Sequence, residues 1–277
     1  MKAYKYRIYP NSEAREKLAK QFGCVRFVYN YFLNERIAHY EKTGKGLTYN
    51  QTAGMLTDLK KKLTWLKEVH SQALQASLGD LDAAYANFFA GRAKFPNFKN
   101  KRGKQSCRYP QGFKFQDGYT YLPKIGWIKT IFHKQLHGTP RNLTVSKTKS
   151  GKYFISVIVE EDVFPYESVN RSVGIDLGLK DFLVTSDGHK IPAPKYLRRA
   201  EQKLKRLQRQ LSRKQKGSEN REKARKQLAI QHEKVANQRK DFQHKLSKWL
   251  IDNYDFVALE NLNIKGMVKN HKLAKSI

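Results

Sequence analysis

The chain has 277 residues, 39% hydrophobic and 12% aromatic, which is enough apolar material for one large or two ordinary cores. Fifty-five Lys and Arg against 24 Asp and Glu leave a net charge of +31, more than solubility requires and a sign of a polyanionic partner, nucleic acid first. Isolated Cys24 and Cys107 exclude a disulfide framework and a CxxC zinc knuckle, "MKAYKYRIYP" lacks the apolar segment of a signal peptide, and no run approaches 18 apolar residues, so a cytoplasmic protein without a membrane span is expected.

In chain order, "AYKYRIY" (3–9) reads as a short strand closed by Pro10. Ser12 caps a helix towards Phe22, and Gly23 breaks it. A second helix carries Val25, Val28, Tyr29, Phe32 and Leu33 on one face. A third starts at Thr48 with Met55, Leu59 and Leu63. From Ser71 a fourth carries Leu74, Leu78, Leu81, Tyr85 and Phe88 at alternating steps of four and three, a packing stripe.

Near Lys94 the texture changes. "KFPNFKNKRGKQSCRYPQGFKFQ" mixes basic residues, aromatics and turn formers. Lys94, Lys99, Lys101, Arg102, Lys104, Arg108 and Tyr109 are the candidate nucleic-acid contacts there, for their charge and aromaticity. Strands are expected at 119–122, 127–132, 142–147 and 153–159, with a hairpin at Gly151. Residues 1–10 and 95–165 thus form a small β-barrel or open sheet, and the helices of 11–94 are an insertion in it. "FPYESVNR" (164–171) reads as a linker.

A second domain is expected over 172–277. "SVGIDLG" and "DFLVTSDG" are strands, and "SDGHK" turns into a third. Residues 195–250 are helical, broken at Lys216–Gly217–Ser218 into an antiparallel hairpin with Leu204, Leu207 and Leu211 on one arm and Leu228, Val235, Phe242, Leu246 and Leu250 on the other. Residues 195–248 hold nineteen Lys and Arg against five Asp and Glu, where a merely solvated helix mixes signs more evenly. Arg198, Arg199, Lys205, Arg206, Arg209, Arg213 and Lys214 are therefore candidate phosphate contacts. "YDFVALEN" returns as a strand.

Two carboxylates stand where an apolar run gives way to a polar one: Asp176 in "GIDLG" and Glu260 in "ALENL". If their strands lie side by side, the pair can bind Mg²⁺ or Mn²⁺, which prefer hard oxygen ligands and activate water for phosphodiester hydrolysis. Taken singly, each reads as a solubilising strand end. Gly178 would allow close approach of backbone or substrate. The sequence has no GxxxxGK[ST] phosphate loop, no GxSxG elbow and no pair of histidines flanking one residue. His133 and His137 lack a cysteine pair to complete a zinc site.

"VGIDLGLKDFLVTSDG", "RRAEQKLKRLQRQLSRKQKGSENREKARKQLA", "RKDFQHKLS" and "ALENLNIKGMVKN" resemble the TnpB (OrfB) proteins of bacterial insertion sequences, as do "YRIYP" and "FKNKRGKQSCRYPQGFKF". The resemblance runs over essentially the whole chain in order. It implies an RNA-guided DNA endonuclease related to type V CRISPR effectors. The implied fold is α+β: a wedge-type β-barrel with an inserted helical recognition lobe, then a RuvC-like domain of RNase H fold. The implied partners are a guide RNA and DNA. Asp176 and Glu260 match the first and second RuvC acids, and Glu rather than Asp at the second favours RuvC over a DDE-type transposase. The family carries a third acid beyond the position of "HKLAKSI", after a four-cysteine zinc ribbon. This sequence holds neither, so the nuclease domain is expected to be C-terminally incomplete and cleavage by this chain alone to be inefficient. A non-cutting RNA-guided DNA-binding regulator and a generic RNA-binding protein are the competing readings.

Overall fold

A computed structural model describes residues 1–162, 165–271 and 274, and divides the chain into two compact units, Met1–Val163 and Phe164–Ile277. Phe164 of the expected linker and most of the closing "HKLAKSI" lie outside the described residues.

The N-terminal unit is built on a curled, half-barrel sheet of seven antiparallel strands, in the order β2-β6-β7-β1-β5-β4-β3. The strands are β1 (Lys2–Tyr9), β2 (Gln105–Tyr109), β3 (Lys114–Gln116), β4 (Tyr119–Leu122), β5 (Gly126–Ile131), β6 (Thr139–Lys147) and β7 (Tyr153–Glu160). β1 lies in the interior of the sheet, between β7 and β5. Its alternation is strict: Tyr4, Tyr6 and Ile8 are buried, while Lys5 and Arg7 hold their cations over the Phe154 ring at 4.5 and 5.0 Å. Gly151, at φ +87°, turns the chain from β6 into β7.

Between β1 and β2 come α1 (Ser12–Thr43), α2 (Tyr49–Lys62) and α3 (Ser71–Phe89). Two details of α1 correct the sequence reading. Asn11 is the cap, its side chain accepting the Ala14 N–H at 2.8 Å, and Ser12 is the first helical residue. Gly23 does not break the helix, which runs unbroken for 32 residues. The roughly 1 kcal/mol penalty of an internal glycine is outweighed by burial of Leu18, Phe22, Val25, Val28, Phe32 and Leu33 along one face. Thr48 starts α2 through a reciprocal capping box with Gln51.

Polar contacts pin α3 to α1. The Gln21 side chain accepts the His70 N–H at 2.9 Å, the buried Ser77 hydroxyl donates to the Val25 carbonyl at 2.9 Å, and Arg36 pairs with Asp82 at 2.9 Å. One continuous apolar core joins the helices to the sheet, with Leu18, Phe32, Leu74 and Leu78 on one side and Tyr6, Leu143, Ile155 and Val157 on the other.

The C-terminal unit has four strands in the order β10-β9-β8-β11. They are β8 (Ser172–Asp176), β9 (Asp181–Thr185), β10 (Lys190–Pro192) and β11 (Phe256–Leu259). β8 pairs antiparallel with β9 and parallel with β11. The connection to β11 contains a helical hairpin, α4 (Tyr196–Ser212) and α5 (Glu219–Asn253). Ser218 caps α5, and the Arg221 guanidinium closes the hairpin by donating to the carbonyls of Leu211 and Lys214. Leu204, Leu228 and Val235 are buried along the hairpin. The far end of α5 packs Phe242, Leu246 and Trp249 against Val173, Ile175 and Leu183 of the sheet. A one-turn helix, α6 (Ile264–Met267), follows β11.

Candidate functional site

Asp176 closes β8, and its strand neighbours explain its position. Val173 and Ile175 are buried under α5, whereas Asp176 at the strand end is exposed. Glu260, also exposed, is the first residue past β11. The parallel register pairs Phe256 with Ser172 and proceeds in step to Leu259 with Ile175. The ladder ends there: Asp176 is the last residue of β8 and Glu260 the first beyond β11, each directly following the last residue of its strand paired in that ladder. The carboxylate-bearing residues thus leave the same end of the same sheet. Gly178 shapes the turn after Asp176: a Cβ there would stand 2.8 Å from the Asp181 carbonyl oxygen, so the glycine admits the chain's own backbone.

Two hard carboxylates suit Mg²⁺ or Mn²⁺ in kind. Among the described residues, no group of three or more His, Cys, Asp or Glu is placed to hold a metal ion. Asp187 and Asp255 are engaged structurally. Asp187 accepts from the hydroxyls of Thr185 and Tyr254, which hold its carboxyl below the usual range, and it faces Arg171 at 3.4 Å. Asp255 accepts the Val169 N–H and the Ser168 hydroxyl, and its carboxyl is likewise lowered.

The basic residues singled out on the hairpin are all exposed: Arg198, Arg199, Lys205, Arg206 and Arg209 on α4, and Arg213 and Lys214 in the turn. Lys205 pairs with Glu201 at 2.9 Å.

The candidates between α3 and β2 divide differently. Lys94, Lys99, Lys101, Arg102 and Lys104 are exposed, and Lys99 differs in what its backbone and ammonium touch. The Lys99 backbone is clasped by Asn30, whose amide donates to the Lys99 carbonyl and accepts the Lys99 N–H, both at 2.8 Å. The Lys99 ammonium sits 3.6 Å over the Tyr29 ring, and burial pushes its pKa below the ordinary lysine value. Arg108 pairs with Asp80 at 2.8 Å and donates to the Ala76 carbonyl at 3.2 Å. Tyr109 is a correction: expected at the nucleic-acid surface, it is fully buried and stacks on His70. The reason is β2, where Cys107 and Tyr109 alternate into the core and Arg108 points away. Asn30 has no counterpart among the sequence candidates, nor has Gln105, whose amide donates to the carbonyls of Lys101 and Gly103 and orders the basic loop. A single Asn on a helix and a Gln beside a glycine turn carry no sequence signal for such a clasp.

Residues 154–271 match the family described as "Probable transposase" (OrfB of IS605), and residues 1–45 match its "Helix-turn-helix domain". A protein of Streptomyces pristinaespiralis named "Putative RNA-guided DNA endonuclease" is 37% identical over 286 residues, covering 100% of this chain and 70% of that protein. The chain belongs to the TnpB (OrfB) family. It is a TnpB-like nucleic-acid-binding protein. The Escherichia coli K12 protein "Putative RNA-guided DNA endonuclease InsQ" is 34% identical, covering 98% of this TnpB chain and 68% of its own length. A solved structure, "Cryo-EM structure of CRISPR-Cas12f Ternary Complex", is 15% identical with a TM-score of 0.39, and this chain spans 64% of that one. In this TnpB chain, the segment matched as helix-turn-helix holds β1 and the unbroken α1. Among the described residues no helix is long and apolar enough to cross a membrane.

Proposed function

We propose that this chain binds a guide RNA together with the DNA that the guide pairs with, and that its C-terminal unit is a RuvC-like module of RNase H fold. The observation that supports the nuclease part is the in-step parallel pairing of β8 with β11, whose last paired residues, Ile175 and Leu259, directly precede Asp176 and Glu260. The RNA-guided DNA reading is supported by the names of the two relatives that align over nearly all of the chain. In this reading 1–10 and 95–165 form the wedge, 11–94 the recognition lobe and 172–277 the nuclease portion. Lys and Arg track phosphates while guide–target pairing reads sequence.

Asp176 and Glu260 would hold the divalent metal, Mg²⁺ or Mn²⁺. When bound, such ions activate a water and stabilise the leaving oxygen in phosphodiester hydrolysis. The chain's own contribution is placement: the buried alternation of β8 and the Gly178 turn hold the Asp176 backbone, and the parallel partner brings Glu260 out at the same sheet end. Two acids bind metal less tightly than three, and among the described residues no third joins them, so these 277 residues by themselves are expected to cleave weakly. A regulator that occupies guided sites without cutting is the second reading, favoured by the lack of a three-residue ligand cluster among the described residues.

The test is an assay of the purified 277-residue protein with its co-purifying RNA and a matching duplex in Mg²⁺. The expected result is RNA-dependent DNA binding with little cutting, and Asp176→Ala removing whatever cutting remains without altering binding. Efficient cutting abolished by Asp176→Ala would refute the weak-cleavage expectation. A broad mixture of bound RNAs with no RNA-dependent DNA binding would refute guided recognition.

A further inference from the structure

The N-terminal unit contains a cleft of about 610 Å³ lined by the later turns of α1 and α3 and by Phe95 of the segment that follows α3. Clefts of roughly 300–1,000 Å³ are typical of ligand sites. The lining holds five aromatic side chains, Tyr40, Tyr85, Phe88, Phe89 and Phe95, and its carboxylates are Glu41 and Asp82. Phe89 is 79% exposed and Tyr40 61% exposed, and Tyr85 stands edge-on to Phe95 at 5.6 Å. Rings left in water around a cavity mark a surface built to be covered. A polar pair lies among them. Arg36 is only 7% exposed, its guanidinium lies 5.2 Å over the Tyr85 ring, and it pairs with Asp82. Its Nε–H has no hydrogen-bond acceptor among the described residues. A buried donor without an acceptor is costly, and because the Nε–H is shielded from solvent, the Arg36 side chain would have to turn toward the cleft for a ligand oxygen or ring nitrogen to relieve it.

We propose that this cleft receives an unstacked nucleobase of a single-stranded nucleic acid, sandwiched by the exposed rings and bonded at its edge by Arg36 and Asp82. The inference rests on the nucleic-acid-binding reading and deepens it by naming a base-binding subsite. Bases in a duplex hide their faces in the stack, whereas single strands offer them to aromatic side chains. An edge carrying both a carbonyl and an amino group matches a guanidinium donor beside a carboxylate acceptor. Lys42 and Lys45 follow Tyr40 closely in sequence, and Arg92 and Lys94 immediately precede Phe95, which supplies cations for the flanking phosphates. An apolar side chain from a protein partner would fill the same space but leave the Arg36–Asp82 pair facing hydrocarbon.

The experiment titrates the full chain into a short single-stranded RNA carrying 2-aminopurine, whose fluorescence falls on stacking, at several salt concentrations. Wild type should quench the probe. The Tyr40→Ala/Phe89→Ala double variant should lose the quench and bind about fivefold to a hundredfold more weakly, with its salt dependence and thermal unfolding unchanged. Both rings are exposed, so neither holds the fold. Equal quenching and affinity in the variant, with steep salt dependence retained, would overturn the subsite and leave nucleic-acid binding standing. Salt-independent or absent binding by wild type would overturn both. Occupation of the cleft by an apolar dye that excess oligonucleotide fails to displace would assign it to an apolar partner instead.

Discussion

Asp255 precedes β11 and holds the segment before β8 to it. The Val169 N–H donates to its carboxylate at 3.2 Å and the Ser168 hydroxyl at 2.9 Å, and these bonds favour the charged form, so its pKa in the folded chain lies below the ordinary 3.8. A carboxyl lowered on folding stabilises the protein fully above its unfolded value, and that contribution disappears as pH falls through the folded value. Asp255→Asn should therefore melt earlier than wild type at pH 7, with the difference shrinking below the ordinary value of 3.8. Thermal melts from neutral pH down to about pH 3 check this, and a difference constant across that range would contradict the assignment. The same residues show what single positions disclose. The strand-end positions of Asp176 and Glu260 are legible because each follows an apolar run. Tyr109 misleads because charge and aromaticity around it mask a two-residue alternation, and Arg36 is invisible because nothing local announces a buried guanidinium.

At the scale of elements, α1 is the plainest lesson. Its apolar spacing persists across Gly23, but a breaker read locally outweighs a periodicity that only tertiary burial vindicates. A Cβ at Gly23 would meet nothing within 4 Å. Gly23→Ala is thus expected to stabilise the N-terminal unit by about 0.5–1 kcal/mol, by restricting the unfolded chain and improving helix propensity. Urea unfolding checks it, and an unchanged or lowered midpoint would show that the backbone at Gly23 serves another purpose. The hairpin strands about Gly151 and the helix break at Lys216–Ser218 are legible because turn chemistry is local. β2 and β3 are hidden in the sequence because five and three residues among lysines and prolines are too short to establish a period. Which strand neighbours which is not written in any one segment, so the adjacency of β8 and β11 can be posed as a condition but not read off.

For the whole molecule, charge is the dominant property. A net +31 makes nucleic-acid binding strongly salt dependent, since each neutralised phosphate releases counterions. Replacing Arg198, Arg206 and Arg209 with alanine, all exposed on α4, is expected to flatten the slope of log K against log salt by about 0.7–0.9 for each phosphate the variant no longer neutralises. Binding isotherms at several salt concentrations measure it, and an unchanged slope would remove the hairpin from the interface.

The interior placement of β1 bears on how the protein is made. Tyr4 pairs with Val157, so the first strand off the ribosome borders a strand roughly 150 residues later. At roughly 5–20 residues per second, β1 waits about 6–25 s with both edges bare before β5 emerges, and longer for β7. During synthesis, the three helices can form locally while the sheet that anchors them still consists of its middle strand alone. The nascent chain is thus most vulnerable to chaperone capture, proteolysis or strand-to-strand aggregation at its very first element, and a fusion at the amino terminus loads the strand that both halves of the sheet must dock against.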